Sequence, residues 1–184
     1  MNKPIYIVDY FKDIVSAVSA KLLSELKAHD NVITGVHYQH GHPREIIETL
    51  TQMTDGIASR FDKYPLIALF QDFPEDVTGN GFYADVTLHF IIARGTEATY
   101  KADQRYDKNF KPILYPVYFE FMEQIRLSKK FEIVSAANTY PHKKIDRLYW
   151  GREGLYGGEG NTFNDRLDCI EIKDLKLRVK TQNC

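Results

Sequence analysis

Tyr64-Pro-Leu-Ile-Ala-Leu-Phe-Gln-Asp-Phe73 and Tyr83-Ala-Asp-Val-Thr-Leu-His-Phe-Ile-Ile-Ala93 are the stretches that decide the fold class. The first is apolar, too short for a helix and flanked by Pro65 and Pro74, so it reads as a strand buried on both faces. The second alternates. Ala84, Val86, Leu88, Phe90 and Ile92 fall on one side, and Tyr83, Asp85, Thr87, His89 and Ile91 on the other. Pro74 to Gly81 carries acidic and glycine turn residues and reads as a loop. Strands joined this closely pair antiparallel, which favours α+β over a doubly wound sheet.

Upstream of this pair, Phe11, Ile14, Val15, Val18, Leu22 and Leu26 make one apolar stripe at helical spacing. They predict an amphipathic helix from about Asp9 to His29, with Asp9 as its cap. Asn31 to His40 reads as a strand through Val32, Ile33, Val36 and Tyr38. Gly41-His42-Pro43 breaks it, and Pro43 suits the start of a short helix from Arg44 to Met53. Thr54 to Lys63 is a polar connection. Downstream, Gly95 to Lys111 is polar, a loop or short helix. Pro112 to Ile125 is apolar at helical spacing, with Pro116 tolerated near the first turn. Phe131 to Ser135, Ile145 to Trp150 and Arg166 to Lys180 read as strands. The last slips phase between Ile170/Ile172 and Leu175/Leu177/Val179, which predicts a bulge near Lys173-Asp174. The expected architecture is α+β: a mostly antiparallel sheet packed against two main helices. It forms a single domain over residues 1–184, with an elaborated strand and glycine-rich loop region from about 131.

The 184 residues suffice for a core without staples. Net charge is −1, from 24 basic and 25 acidic residues, so the basic excess of a nucleic-acid coat is missing. The two cysteines, Cys169 and Cys184, form no disulfide framework, and a reducing compartment is the natural reading. Asp9, Lys12 and Asp13 interrupt the N-terminal stretch, so it does not read as a signal peptide. No apolar run reaches membrane length. These features point to a cytoplasm, or to a particle assembled in one.

His37, His40 and His42 are residue types that bind zinc, and catalytic zinc often takes three. An extended strand sends His37 and His40 to opposite faces, though, and no HExxH motif supports them. The competing reading is a polar strand end. Trp150-Gly-Arg-Glu-Gly-Leu-Tyr-Gly-Gly-Glu-Gly160 is glycine-rich but lacks the Lys-Ser/Thr of a phosphate loop and the GxGxxG of a dinucleotide fold. Its Trp150, Leu155, Tyr156 and Phe163 are costly to leave wet, so the loop packs on its own domain or on a neighbouring subunit. Asp72, Glu75, Asp76 and Asp85 surround the strand pair and read as a solvated face or as paired carboxylates. Lys101, Arg105, Lys108 and Lys111, interleaved with Tyr100, Tyr106 and Phe110, read as a solvated connector or as a nucleic-acid contact. Neither cysteine has sequence neighbours that would make it a nucleophile.

In its order of elements the chain resembles the tail-terminator and tail-completion proteins of long-tailed phages. The resemblance runs from about Asp9 to Phe131. It rests on the amphipathic helix, Tyr64-Pro-Leu-Ile-Ala-Leu, the acidic loop Asp72-Phe-Pro-Glu-Asp76, the strand Ala84-Asp-Val-Thr-Leu-His-Phe-Ile-Ile-Ala93, and a long helix. It implies a virion structural protein with no catalytic residues and no cofactor. Such a subunit assembles with itself as a ring, typically six-fold, on the end of the tail tube. Its partners are the tail tube protein and a neck or head-completion protein, and DNA meets it only in passing through the ring. The added strand after Phe131 departs from that pattern and leaves head-completion as a neighbouring role. The candidate subunit-interface residues are Asp72, Glu75, Asp76, Lys101, Arg105, Lys108, Lys111, Trp150 and Tyr156. Alternatives of other classes are a metal-dependent enzyme using the three histidines and a small-ligand or nucleic-acid-binding module.

Overall fold

The computed structural model describes residues 6–55, 63–77, 83–132, 139–151 and 166–180. Helix α1 (Ile7–His29) starts two residues earlier than its apolar spacing suggested. Tyr6 holds the cap position without a side-chain bond, and Asp9 sits in the first turn. Asp9 therefore meets the positive end of the helix as a charge and is not its cap. The stripe Phe11, Ile14, Val15, Val18, Leu22 and Leu26 is buried as expected, and Tyr10 is buried beside it. Side chains of this size contribute about 1.5–3 kcal/mol each when fully buried.

Strand β1 (His37–Gly41) is shorter than the Asn31–His40 strand read from β-formers. The intervening residues spend their hydrogen bonds on α1 and on Asp30, which caps its C-terminus. Val36 N donates to Ser19 Oγ at 2.9 Å, and Ile33 N to Asp30 O at 3.2 Å. Gly35 is needed there, because a Cβ would lie 2.7 Å from Ser19 Oγ. Helix α2 (Pro43–Asp55) begins at its proline, and Glu45 reaches back to accept His42 N–H at 3.0 Å.

Strand β2 (Leu66–Phe70) is buried at every position. Short β3 (Glu75–Val77) lies inside the stretch expected to be a loop, and long β4 is Tyr83–Gly95. Helix α3 (Ala102–Arg105) runs on into a π-helix (Tyr106–Leu114) and then α4 (Tyr115–Leu127), with helical backbone at both joints. The helix expected from Pro112 thus starts ten residues sooner. Pro112 is the physical clue: in an α-helix its ring would clash with the carbonyl of Lys108, and the wider π turn relieves that contact. Strands β5 (Phe131–Glu132), β6 (Lys143–Gly151) and β7 (Arg166–Lys180) complete the set.

All seven strands share one sheet, ordered β1-β2-β4-β7-β5, with β3 beside β4 and β6 beside β7. The antiparallel β2–β4 pair is as expected, but β1 and β2 run parallel. The sheet is therefore mixed. Helices also lie on both faces. The α1, π and α4 side buries Ile67, Leu69, Val86, Leu88, Phe90, Ile92 and the apolar residues of β7 from Ile170 to Val179. Phe11 centres this layer, with ring centroids 4.7 Å from Phe90 and 5.3 Å from Phe131. On the other face, Ile46, Ile47 and Leu50 of α2 cover Leu66, Ala68, Phe70, Ile91, Ala93, Leu167 and Cys169. Counting two main helices undervalued α2, because its apolar face is only about three turns long.

The bulge stands where the phase slip put it. His89 alone spans the gap between the Leu88↔Leu175 and Phe90↔Ile172 pairs, opposite Lys173 and Asp174. Asp174 takes φ 55°. The extra residue brings Ile170 and Ile172 onto the same core face as Leu175, Leu177 and Val179.

Candidate functional site

The three histidines do not converge. His37 Nε2 lies 3.2 Å from Thr34 Oγ1, His40 Nδ1 lies 3.0 Å from Gln71 Oε1, and His42 Nδ1 accepts Arg44 N–H at 3.2 Å. Among the described residues no group of three or more His, Cys, Asp and Glu is placed to hold a metal ion.

The acidic residues behave as a solvated surface. Asp72, Glu75 and Asp76 are exposed, the last two on β3, where Asp76 pairs in register with Asp85. Asp85 itself is taken by Arg178, with two bonds of 2.7 Å. Hydrogen bonding to Arg178 holds the Asp85 carboxyl below its ordinary value, against a smaller opposing effect of burial.

The basic segment divides. Lys101, Lys108 and Lys111 are exposed, and Lys108 Nζ lies 4.2 Å from the Tyr100 ring centroid. Arg105 is only 1% exposed, which removes it from the candidate interface. Its Nη1 donates to Asp168 Oδ1 at 3.1 Å, and its Nε donates to Tyr100 O at 2.9 Å. Asn109 Nδ2 fills the second oxygen of Asp168 at 2.7 Å. The buried Asp168 carboxylate is the physical reason: the Arg105 charge is spent on holding α3 and the π-helix to β7. A helical period alone cannot show this. Arg105 and Asn109 share a helix face, but their acceptor lies 59 residues beyond Asn109. With Arg105 inside, the exposed charges of the segment are Lys101, Asp103, Asp107, Lys108 and Lys111, nearly balanced in sign.

Beside that cluster lies a cleft of about 510 Å³, lined among others by His29, Asp30, Arg94, Thr96, Tyr100 and Lys108. Arg94 pairs with Asp30 across it. Its signs are mixed, so it favours neither an anion nor a cation. On the opposite face of the sheet, Glu171 is fully buried and takes Arg147 Nε at 2.5 Å. Cys169 is buried nearby, and burial pushes its thiol pKa far up, which makes it a poor nucleophile. Trp150 belongs to β6 by its backbone register with Leu167. Its side chain, Tyr156 and the rest of the glycine-rich loop from 152 lie outside the described residues, as does the larger part of the expected Phe131–Ser135 strand.

No protein-family model matches this chain, and comparison with curated proteins finds no match.

Proposed function

We propose that this chain is a structural subunit that assembles as a ring at the end of a phage tail tube, joining it to the neck or head. The observation that supports this reading is the polarity of the molecule along β4. The exposed acidic residues Asp72, Glu75 and Asp76 lie toward one end, where β3 pairs with Ala84–Val86. Lys108 lines the cleft beside Arg94 and Gly95 at the other end. At about 3.4 Å per residue the two ends are about 30 Å apart. Unlike surfaces at opposite ends make head-to-tail contacts, which close into a ring when the rotation fits. With Arg105 internal and Asp103 and Asp107 interleaved, charge sets orientation here more than affinity.

The test is light scattering after size exclusion, at low and moderate salt, of native protein and of Lys108→Glu/Lys111→Glu. The charge reversal is expected to shift the ring toward smaller species. Glu75→Lys/Asp76→Lys in the same chain is expected to restore it. Assembly untouched by the reversal at both salt concentrations rejects the charge-oriented contact. A protein that stays monomeric alone and does not bind the ends of purified tail tubes rejects the ring subunit.

A further inference from the structure

We infer that Tyr106, Phe110 and Tyr115, rimmed by Asp103 and Asp146, form a slot that receives the guanidinium or ammonium group of a partner protein's side chain. The inference does not depend on the ring reading. It begins with the winding of the helix. An α-helix turns about 100° per residue, so Tyr115 would face away from Tyr106, nine residues earlier. A π-helix has roughly 4.4 residues per turn, which is close to 82° per residue. Nine residues then make two turns with about 18° to spare, and the two tyrosines fall on one side with Phe110 between them. The bond that marks this winding is present, since Tyr115 N–H is donated to Phe110 O.

The rings stand accordingly. The Tyr106 and Tyr115 centroids are 6.2 Å apart at 69°, and those of Phe110 and Tyr115 are 5.8 Å apart at 53°. With Ala102, Asp103 and Asp146 they line a hollow of about 380 Å³. Phe110 is buried at its base, while Tyr106 is 50% exposed and forms an open wall. Aromatic faces carry negative potential, and the exposed Asp103 carboxylate adds to it. The chain already shows what this environment attracts. Lys144 Nζ lies 4.7 Å from the Tyr115 ring centroid and pairs with Asp146, which also accepts Tyr115 O–H at 2.6 Å. Lys144 thereby neutralises Asp146 and leaves Asp103, exposed and without an ion pair among the described residues, to meet an incoming cation.

The occupant is a side chain because the slot is open along Tyr106. Exposed cation–π contacts are individually weak, so a free cation would keep its water. A side chain carried on a peptide backbone that lies along the open Tyr106 wall gains contacts that a free cation lacks.

The experiment uses the full chain with ¹³C-labelled tyrosine rings, titrated by NMR. The probes are acetyl-Gly-Arg-Gly-amide, the neutral acetyl-Gly-Gln-Gly-amide, and ethylguanidinium. The arginine peptide is expected to shift the Tyr106 and Tyr115 signals saturably at millimolar concentration, and the glutamine peptide to leave them in place. Asp103→Asn, a change at an exposed position, is expected to weaken the arginine peptide about five-fold. Tyr106→Leu is expected to abolish the shift at Tyr115. Equal response to both peptides overturns the proposal, as does indifference to both substitutions. Binding of ethylguanidinium with the arginine peptide excluded overturns the side-chain occupant.

Discussion

Asp168 accepts from Arg105 and Asn109 where neither of its oxygens meets solvent. Removing one partner of a buried pair leaves the other charge uncompensated, which costs about 3–5 kcal/mol, whereas replacing both by apolar groups is often neutral. Asp168→Asn is therefore expected to lower the unfolding free energy in urea by about 3 kcal/mol, and Arg105→Met/Asp168→Leu by clearly less. A double variant as damaged as the sum of its parts would mean that the two side chains are not energetically coupled. His89 belongs to the same scale. Its ring meets the edge of Phe70 at 4.6 Å, and its buried Nε2 has no partner among the described residues. Burial lowers its pKa below the ordinary 6.5, with nearby Glu171 opposing. Below 6.5 the unfolded chain takes up a proton that the folded state resists, so stability falls as the pH falls through the folded value. Urea midpoints of the native chain should drop on acidification through this window, and those of His89→Leu should drop less. Parallel profiles would remove His89 as the cause.

Two irregular elements do more than the regular ones. The π-helix turns one long helical rod so that Arg105 and Asn109 reach β7 while Tyr106 lies exposed over buried Phe110. The β7 bulge lets one strand serve the helix layer along its whole length. Asp174 holds the bulge with φ 55°, a conformation that Gly, Asn and Asp adopt and β-branched residues resist. Asp174→Gly is expected to stay within about 0.5 kcal/mol of the native chain, and Asp174→Val to lose about 1–2 kcal/mol in urea unfolding. An Asp174→Val protein of undiminished stability would mean that the bulge relaxes without cost. The exposed Lys143–Asp174 pair at 2.9 Å is lost in both variants, so the difference between them isolates the backbone.

For the whole molecule, the β4–β7 ribbon is the spine. Its edges carry β2 and β3 on one side and β5 and β6 on the other, so both long strands are paired along both edges. That leaves the exposed acidic β3 at one end and the cleft with Lys108 at the other, the polarity on which the assembly proposal rests. No helix among the described residues is long and apolar enough to cross a membrane.

Local pattern was enough for what depends on neighbours in the chain. The α1 stripe, the buried run Leu66–Phe70, the alternation of β4, the start of α2 at Pro43 and the phase slip at Lys173–Asp174 are all visible in periodicity and turn chemistry. Features set by distant partners were not legible. The parallel β1–β2 pair, the short β3 and the loss of residues 31–36 to α1 depend on which backbone groups find acceptors in space. The candidate site divides in the same way. Exposure of Asp72, Glu75, Asp76, Lys101, Lys108 and Lys111 follows from their charge. Arg105 went inward because Asp168, 63 residues away, pays its desolvation with a matched carboxylate. The alignment of Tyr106 with Tyr115 follows from winding at five residues per bond, where the sequence read at 3.6 residues per turn sets them on opposite faces.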